Sequence, residues 1–198
     1  MPDLVTGDDG KPRCSWGVST PDYLVYHDTE WGFPVSDDFL LFEKICLEGF
    51  QSGLSWLTIL RKRDDFRRVF YDFDFTRVAS MSSEDVERLL ADPTIVRHRG
   101  KIEATINNAN NLGAVIAEFG SFAAYVWTYE PRRSDPTRST SPESLAMSRD
   151  LKRRGFRFVG PTTAYAFMQA MGLVNDHVPN CFVSPMVRAA RNDFAVPV

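Results

Sequence analysis

The sequence predicts an all-α protein. Apolar residues recur at spacings of three and four along most of the chain, helix-capping signals punctuate those stretches, and alternation of period two is nearly absent. The one period-two run, Tyr71-Asp-Phe-Asp-Phe75, is too short and isolated to build a sheet. Of the 198 residues, 43% are hydrophobic and 25% charged, which is the make-up of one ordinary globular domain or two small ones. A chain of this length buries roughly 70% of its unfolded surface, so a core is available without disulfides.

Taken in order, Met1 to Arg13 is polar and lacks the apolar segment of an export signal, so a flexible tail over 1–12 and a cytoplasmic protein are expected. No eighteen apolar residues run uninterrupted, so no membrane span is expected. Asp37 to Leu47 places Phe39, Phe42, Ile45 and Cys46 on one helical face. Ser82 to Leu90 opens on a Ser-x-x-Asp capping box and stops before Pro93. Gly100 to Phe119 carries Ile102, Ile106, Ala109, Leu112, Ile116 and Phe119, the longest amphipathic pattern and the expected central helix. Pro131 to Ser144 is rich in proline and serine and predicts an exposed connection between two helical lobes. Ser141-Pro142 then caps a helix running to Gly155, and Pro161 opens another that ends at Gly172. The intervening Phe156-Arg-Phe-Val-Gly160 predicts a tight hairpin between helices.

The net charge of −3 argues against a nucleic-acid partner until its distribution is considered. Residues 1–50 hold ten acids and three bases; the remainder holds 16 acids and 20 bases. The bases cluster at Arg61-Lys62-Arg63 with Arg67 and Arg68, at Arg97-His98-Arg99 with Lys101, and at Lys152-Arg153-Arg154 with Arg157. Such clusters serve as solvated helix faces or as phosphate-binding surfaces, and position alone does not choose.

Three constellations can carry chemistry. Cys14 with His27, and His177 with Cys181 three residues apart, suit a closed tetrahedral zinc site that staples the chain ends; buried cysteines and incidental histidines are the alternative. Four protein ligands leave no open position, which argues against a zinc hydrolase. Cys46 falls on an apolar face and is expected in the core. Glu48 stands at an expected helix C-terminus, where the dipole disfavours an anion, among apolar and small neighbours; it is either a functional carboxylate or a surface glutamate before a glycine cap. Tyr26, Trp31 and Trp56 supply faces that can sandwich a planar ligand, or simply pack. The glycine turn at 156–160 feeds a helix N-terminus able to hold a phosphate, with Lys152, Arg153, Arg154 and Arg157 nearby.

In order from residue 13 to 181, the segments Arg13-Cys14-Ser-Trp16, Tyr26-His27-Asp-Thr-Glu-Trp31-Gly32, Ile45-Cys-Leu-Glu48-Gly49 with Gly53-Leu-Ser-Trp56, Arg97-His-Arg-Gly-Lys101, Arg153-Arg-Gly-Phe-Arg-Phe-Val-Gly160, and Gly172-Leu-Val-Asn-Asp-His177 with Cys181 resemble the bacterial DNA-3-methyladenine glycosylase I family. The resemblance implies a helix-hairpin-helix DNA glycosylase fold spanning 13–181, with a C-terminal tail over 182–198. It implies one structural Zn2+ on Cys14, His27, His177 and Cys181, joining the N- and C-terminal segments. It implies a pocket in which Glu48 acts on a methylated purine held by Tyr26 and Trp56, with Trp31 in the wall. The partner is double-stranded DNA containing an alkylated purine; no membrane and no protein partner are needed, and a monomer is expected. DNA contacts are expected from Leu54 as an apolar wedge and from Arg157, Gly160 and Thr162 at the hairpin. Thr162 stands where strand-cutting relatives of the superfamily carry a lysine, so base removal without strand cleavage is expected. The pattern departs at Ser15 and Ser52, in the hairpin, which lacks the superfamily's usual Leu-Pro-Gly-Val-Gly, and in the seventeen residues after Cys181. A non-catalytic damage-binding protein on the same scaffold is the rival reading.

Overall fold

A computed structural model describes residues 3–131 and 137–198. The chain opens with an antiparallel hairpin of β1 (Leu4–Thr6) and β2 (Pro12–Cys14), followed by a 3-10 turn at Ser15–Val18. Eleven α-helices follow among the described residues: α1 (Pro21–Thr29), α2 (Asp38–Gln51), α3 (Trp56–Leu60), α4 (Arg63–Val69), α5 (Phe75–Ala79), α6 (Ser83–Ala91), α7 (Arg99–Phe119), α8 (Phe122–Trp127), α9 (Pro142–Arg153), α10 (Pro161–Ala170) and α11 (Val183–Asp193). No helix among the described residues is long and apolar enough to cross a membrane.

Local chemistry sets most of the boundaries. Thr20, Asp37, Ser55, Ser82, Ser121 and Ser141 each accept a backbone N–H of the first turn that follows, and the expected capping box at Ser82 and Asp85 forms. Gly120, with φ of 86°, ends α7 in a conformation that favours glycine. Tyr71–Phe73 makes one left-handed turn, with φ between 53° and 56° at all three residues, so its alternation marks no strand.

Several expectations need correction. Of the expected tail over 1–12, the described residues 3–12 are not free, because Leu4 pairs with Cys14 across the turn at Gly7 to Gly10. The segment after Cys181 carries α11, whose Val183 and Val187 pack beside Cys14 and Cys181. Helix α2 is more enclosed than the expected central helix: every residue from Leu41 to Phe50 is buried, whereas α7 keeps an exposed face. An amphipathic stripe marks a helix covered on one side only; a helix surrounded on all sides hides that stripe. Phe39 does not join the core face and instead stacks on Phe75 near the surface, centroids 4.9 Å apart. Within the expected connection over 131–144, residues 132–136 lie outside the described residues, and Pro142 already begins α9.

The helix–hairpin–helix is formed by α9, residues 154–160 and α10, and α10 packs against both α9 and α2. Asn108 of α7 clamps its tip: Nδ2 donates to the Arg157 carbonyl at 3.0 Å and Oδ1 accepts from the Arg157 N–H at 2.8 Å. Ser148 of α9 donates to the Val159 carbonyl at 2.7 Å. The hairpin is therefore held from two helices, by a buried hydrogen bond from α9 and part-buried ones from α7.

Candidate active site and metal centre

A cleft of about 330 Å³ opens where α1, α2, α3 and α10 meet. That volume stands at the low end for small-molecule sites and suits a single planar base. Tyr26, Trp31, Glu48 and Trp56 all line it, together with Trp16, Tyr23, Gln51, Gln169 and Asp176. The four residues singled out in the sequence are thus brought together. Tyr26 and Trp56 lie 5.6 Å apart at 43°, forming a splayed aromatic wall. Trp56 begins α3 under the Ser55 cap, and its Nε1 is a buried donor with no acceptor among the described residues.

Glu48 is not a surface residue. Helix α2 continues through Gly49 to Gln51, so Glu48 sits on its last full turn with 5% exposure. Burial pushes its carboxyl up to about 7, while the Lys44 ammonium pulls the other way. No group among the described residues donates a hydrogen bond to it, which leaves its lone pairs available to whatever occupies the cleft. The Tyr26 hydroxyl is also buried and held well above its ordinary pKa, so it remains a proton donor.

Sequence reasoning missed Lys44. It lies one turn before Glu48 on α2, is buried, and donates from Nζ to the Tyr26 hydroxyl oxygen at 2.9 Å. The same ammonium lies 4.7 Å from the Tyr26 ring centre and 4.2 Å from that of Trp56. A lysine four residues before Glu48, set among Leu41, Phe42, Ile45 and Leu47, was the available signal.

The second centre lies beside the cleft. Cys14, His27, His177 and Cys181 are all buried, and their ligand atoms fall within 4.8 Å of one another, so the set can hold a metal ion. The outer nitrogens of both imidazoles are engaged: His27 Nδ1 meets Asp28 Oδ1 at 2.8 Å, and His177 Nε2 meets the Trp31 carbonyl at 3.1 Å. Those contacts orient His27 Nε2 and His177 Nδ1 inward. Arg13 forks onto Asp28 and Asp9, extending the support into the β-hairpin. At Gly17 an added Cβ would lie 2.6 Å from the His27 ring, so only glycine lets that ring seat. Trp31, 4.7 Å from the His177 ring, belongs to both the cleft wall and the surround of the cluster.

At the surface, Leu54 is exposed in the loop after α2, and Arg157 and Thr162 are exposed at the hairpin. Gly160 caps α10 without a side-chain partner, leaving backbone donors at the helix start. The hairpin packs on α2 at Gly49, the residue after Glu48, where an added Cβ would lie 3.2 Å from Phe158. Most of the basic clusters are consumed internally: Arg61 pairs with Asp22, Arg63 with Glu30, Arg67 with Glu43, Arg99 with Glu87, and Arg154 with Glu118. Among the described residues Arg97, Lys152 and Arg157 carry no ion pair.

The sequence profile of the methyladenine glycosylase family matches residues 16–184. The chain belongs to that family. It is 47% identical over 181 residues to DNA-3-methyladenine glycosylase 1 of Escherichia coli (strain K12), covering 87% of this chain and 97% of the relative. The Haemophilus influenzae DNA-3-methyladenine glycosylase is 42% identical over 179 residues, with coverage of 85% and 96%. Among solved structures, the fold superposes on 3-methyladenine DNA glycosylase I from Staphylococcus aureus, described in a study of 3-methyladenine recognition, with a TM-score of 0.83 at 37% identity, covering 87% of this chain and 96% of the other. The all-α glycosylase architecture implied by the resemblance is the one found. The family match encloses the cleft, the hairpin and all of the cluster except Cys14, which lies two residues before it.

Proposed function

We propose that the protein is a monofunctional DNA glycosylase that extrudes 3-methyladenine from alkylated double-stranded DNA and hydrolyses its N-glycosidic bond, leaving an abasic site. The observation that carries this reading is a buried, unengaged carboxylate at Glu48 inside a base-sized aromatic cleft next to a helix-hairpin-helix. Relatives named for this activity, and a glycosylase I structure in complex with 3-methyladenine, support it.

N3 methylation makes the adenine cationic and weakens the bond to its sugar, so little acid catalysis is required. The extruded base costs a few kcal/mol of unstacking, less for a damaged nucleotide. Tyr26, Trp56 and the Trp31 wall receive its faces, with roughly 0.5 to 2 kcal/mol of cation–π attraction per well-placed ring. Neutral adenine lacks that attraction. Glu48 accepts from the base edge and places negative charge near the sugar as it becomes oxocarbenium-like. Leu54 props the vacated stack, and the Gly160 helix start with Arg157 and Thr162 grips the phosphate backbone. Thr162 offers no amine for a Schiff base, so the strand stays intact.

Cys14, His27, His177 and Cys181 would hold one Zn2+. A tetrahedral zinc with Zn–S near 2.3 Å and Zn–N near 2.05 Å requires S···N edges of about 3.5 Å. The observed edges are 3.6 Å from Cys14 to His177, 3.6 Å from Cys181 to His27 and 3.5 Å from Cys181 to His177. The ion supplies folding energy rather than reaction chemistry. We place the enzyme in the cytoplasm, acting as a single subunit.

The test is mass-spectrometric identification of bases released from methylated duplex DNA, with the strand followed on a gel. Release of 3-methyladenine with an uncut strand is expected. Binding without release would establish the non-catalytic rival, and efficient β-elimination would overturn the monofunctional assignment.

A further inference from the structure

A buried cation stands behind the wall of the cleft, and nothing in the proposed chemistry uses it. Lys44 is buried at the back of the aromatic wall, its Nζ fixed by the Tyr26 hydroxyl at 2.9 Å and by the ring faces of Tyr26 and Trp56 at 4.7 and 4.2 Å. Glu48 is one helical turn away on the same helix, yet no oxygen of Glu48 is within 4 Å of Nζ among the described residues. A direct ion pair would occupy the carboxylate and compete with a ligand; this offset supplies charge while leaving the lone pairs open.

We propose that Lys44 is a positioning residue for base excision, whose ammonium raises the anionic fraction of Glu48 in the empty cleft so that more of the carboxylate is in place when the cationic purine arrives. A carboxyl buried without a nearby cation would take up a proton and could no longer stabilise either the cationic base or the sugar cation. Burial lowers the Lys44 pKa and raises that of Glu48, and each charge opposes the shift of the other. The other ionisable groups facing the pair are Tyr26, Tyr23 and Glu30 from α1 and the turn after it, Glu43 from α2, Arg63 from α4, and Asp176 from beyond α10. Arg63 is committed to Glu30, and Asp176 accepts from Tyr165 and Gln169, so none of them replaces Lys44 beside Glu48. The ammonium also repels the cationic base, so its presence trades ground-state binding for a larger fraction of competent enzyme.

The inference rests on the glycosylase reading, and two measurements keep them apart. In Lys44→Met, the acid limb of kcat/KM for 3-methyladenine release should move up by about 1 to 3 pH units. At the wild-type midpoint the variant should therefore lose about fivefold or more, and a full pH unit or more above its own midpoint it should recover to about the wild-type value. A loss equal at every pH, with the limb unmoved, overturns the proposal and leaves Lys44 a packing residue. The second measurement needs neither activity nor that variant: in Glu48→Gln, the 13Cε resonance of Lys44 should titrate at least one pH unit lower than in the wild type, because the coupling is reciprocal. An unchanged titration would likewise overturn it. A wild-type protein that releases no base removes the glycosylase reading, while the resonance still reports whether Lys44 and Glu48 are coupled.

Discussion

Replacing Glu48 with glutamine should make the protein more stable and less active, and the size of the first effect follows from its burial. A carboxyl whose pKa stands at 4.5 when exposed and about 7 in the fold is more costly to ionise in the native state. Below pH 4.5 both states are protonated and nothing is lost. The penalty grows as pH rises from 4.5 to 7 and is complete above 7, where a 2.5-unit difference corresponds to about 3 kcal/mol. The value of about 7 already includes the Lys44 attraction, and burying an unpartnered glutamine amide takes back part of the gain, so about 1 to 3 kcal/mol at pH 8 is expected and almost none at pH 4.5. Urea denaturation at the two pH values measures the difference, and release of 3-methyladenine at pH 8 should fall by about a hundredfold, the scale for removing one electrostatic stabiliser. A glutamine variant less stable than wild type at pH 8 would show that the carboxylate makes net favourable contacts in the fold, and the case for a strained, functional Glu48 would be lost.

Three other outcomes are expected. Cys14→Ala should lose the bound metal and several kcal/mol of stability, with activity falling only in step with the folded fraction; atomic absorption and thermal melts check this, and lost activity at unchanged stability would contradict a structural ion. Asn108→Ala strips two hydrogen bonds from the hairpin tip and should weaken binding to undamaged duplex by about fivefold, with binding of free 3-methyladenine unchanged by calorimetry. Arg157→Ala should lower the slope of log K against log salt by about one, the signature of a single lost phosphate contact, and an unchanged slope would move that contact elsewhere.

Much of this was legible because short-range rules were at work. The capping box at Ser82 and the Ser141-Pro142 start follow from side chains within four residues of the backbone they cap. The cysteine and histidine set was legible as residue types, but their convergence was not, since the pairs are about 150 residues apart and no local signal specifies that closure. Glu48 was recognisable as an anion in the wrong place on a helix, yet its enclosure depends on α10 covering α2, a tertiary fact. The role of the basic clusters stayed open because charge composition does not reveal which arginines are already matched: Arg67 with Glu43 and Arg63 with Glu30 bridge elements far apart in sequence. Lys44 and Asn108 were hidden for a common reason. Each is a polar residue on a buried helical face, where a periodicity count registers only a break in the pattern.

The bond from His177 to the Trp31 carbonyl bears on when the protein becomes competent during its own synthesis. A ribosome that has translated α1 through α10 has already made every side chain of the aromatic wall, but it has supplied only Cys14 and His27 for the cluster. The aromatic wall precedes that point, yet Asp176 and Val178 of the lining and the imidazole that fastens the tryptophan rim come only after α10. Polypeptides that stop before residue 177 should therefore lack the bond that fastens Trp31 at the rim of the cleft.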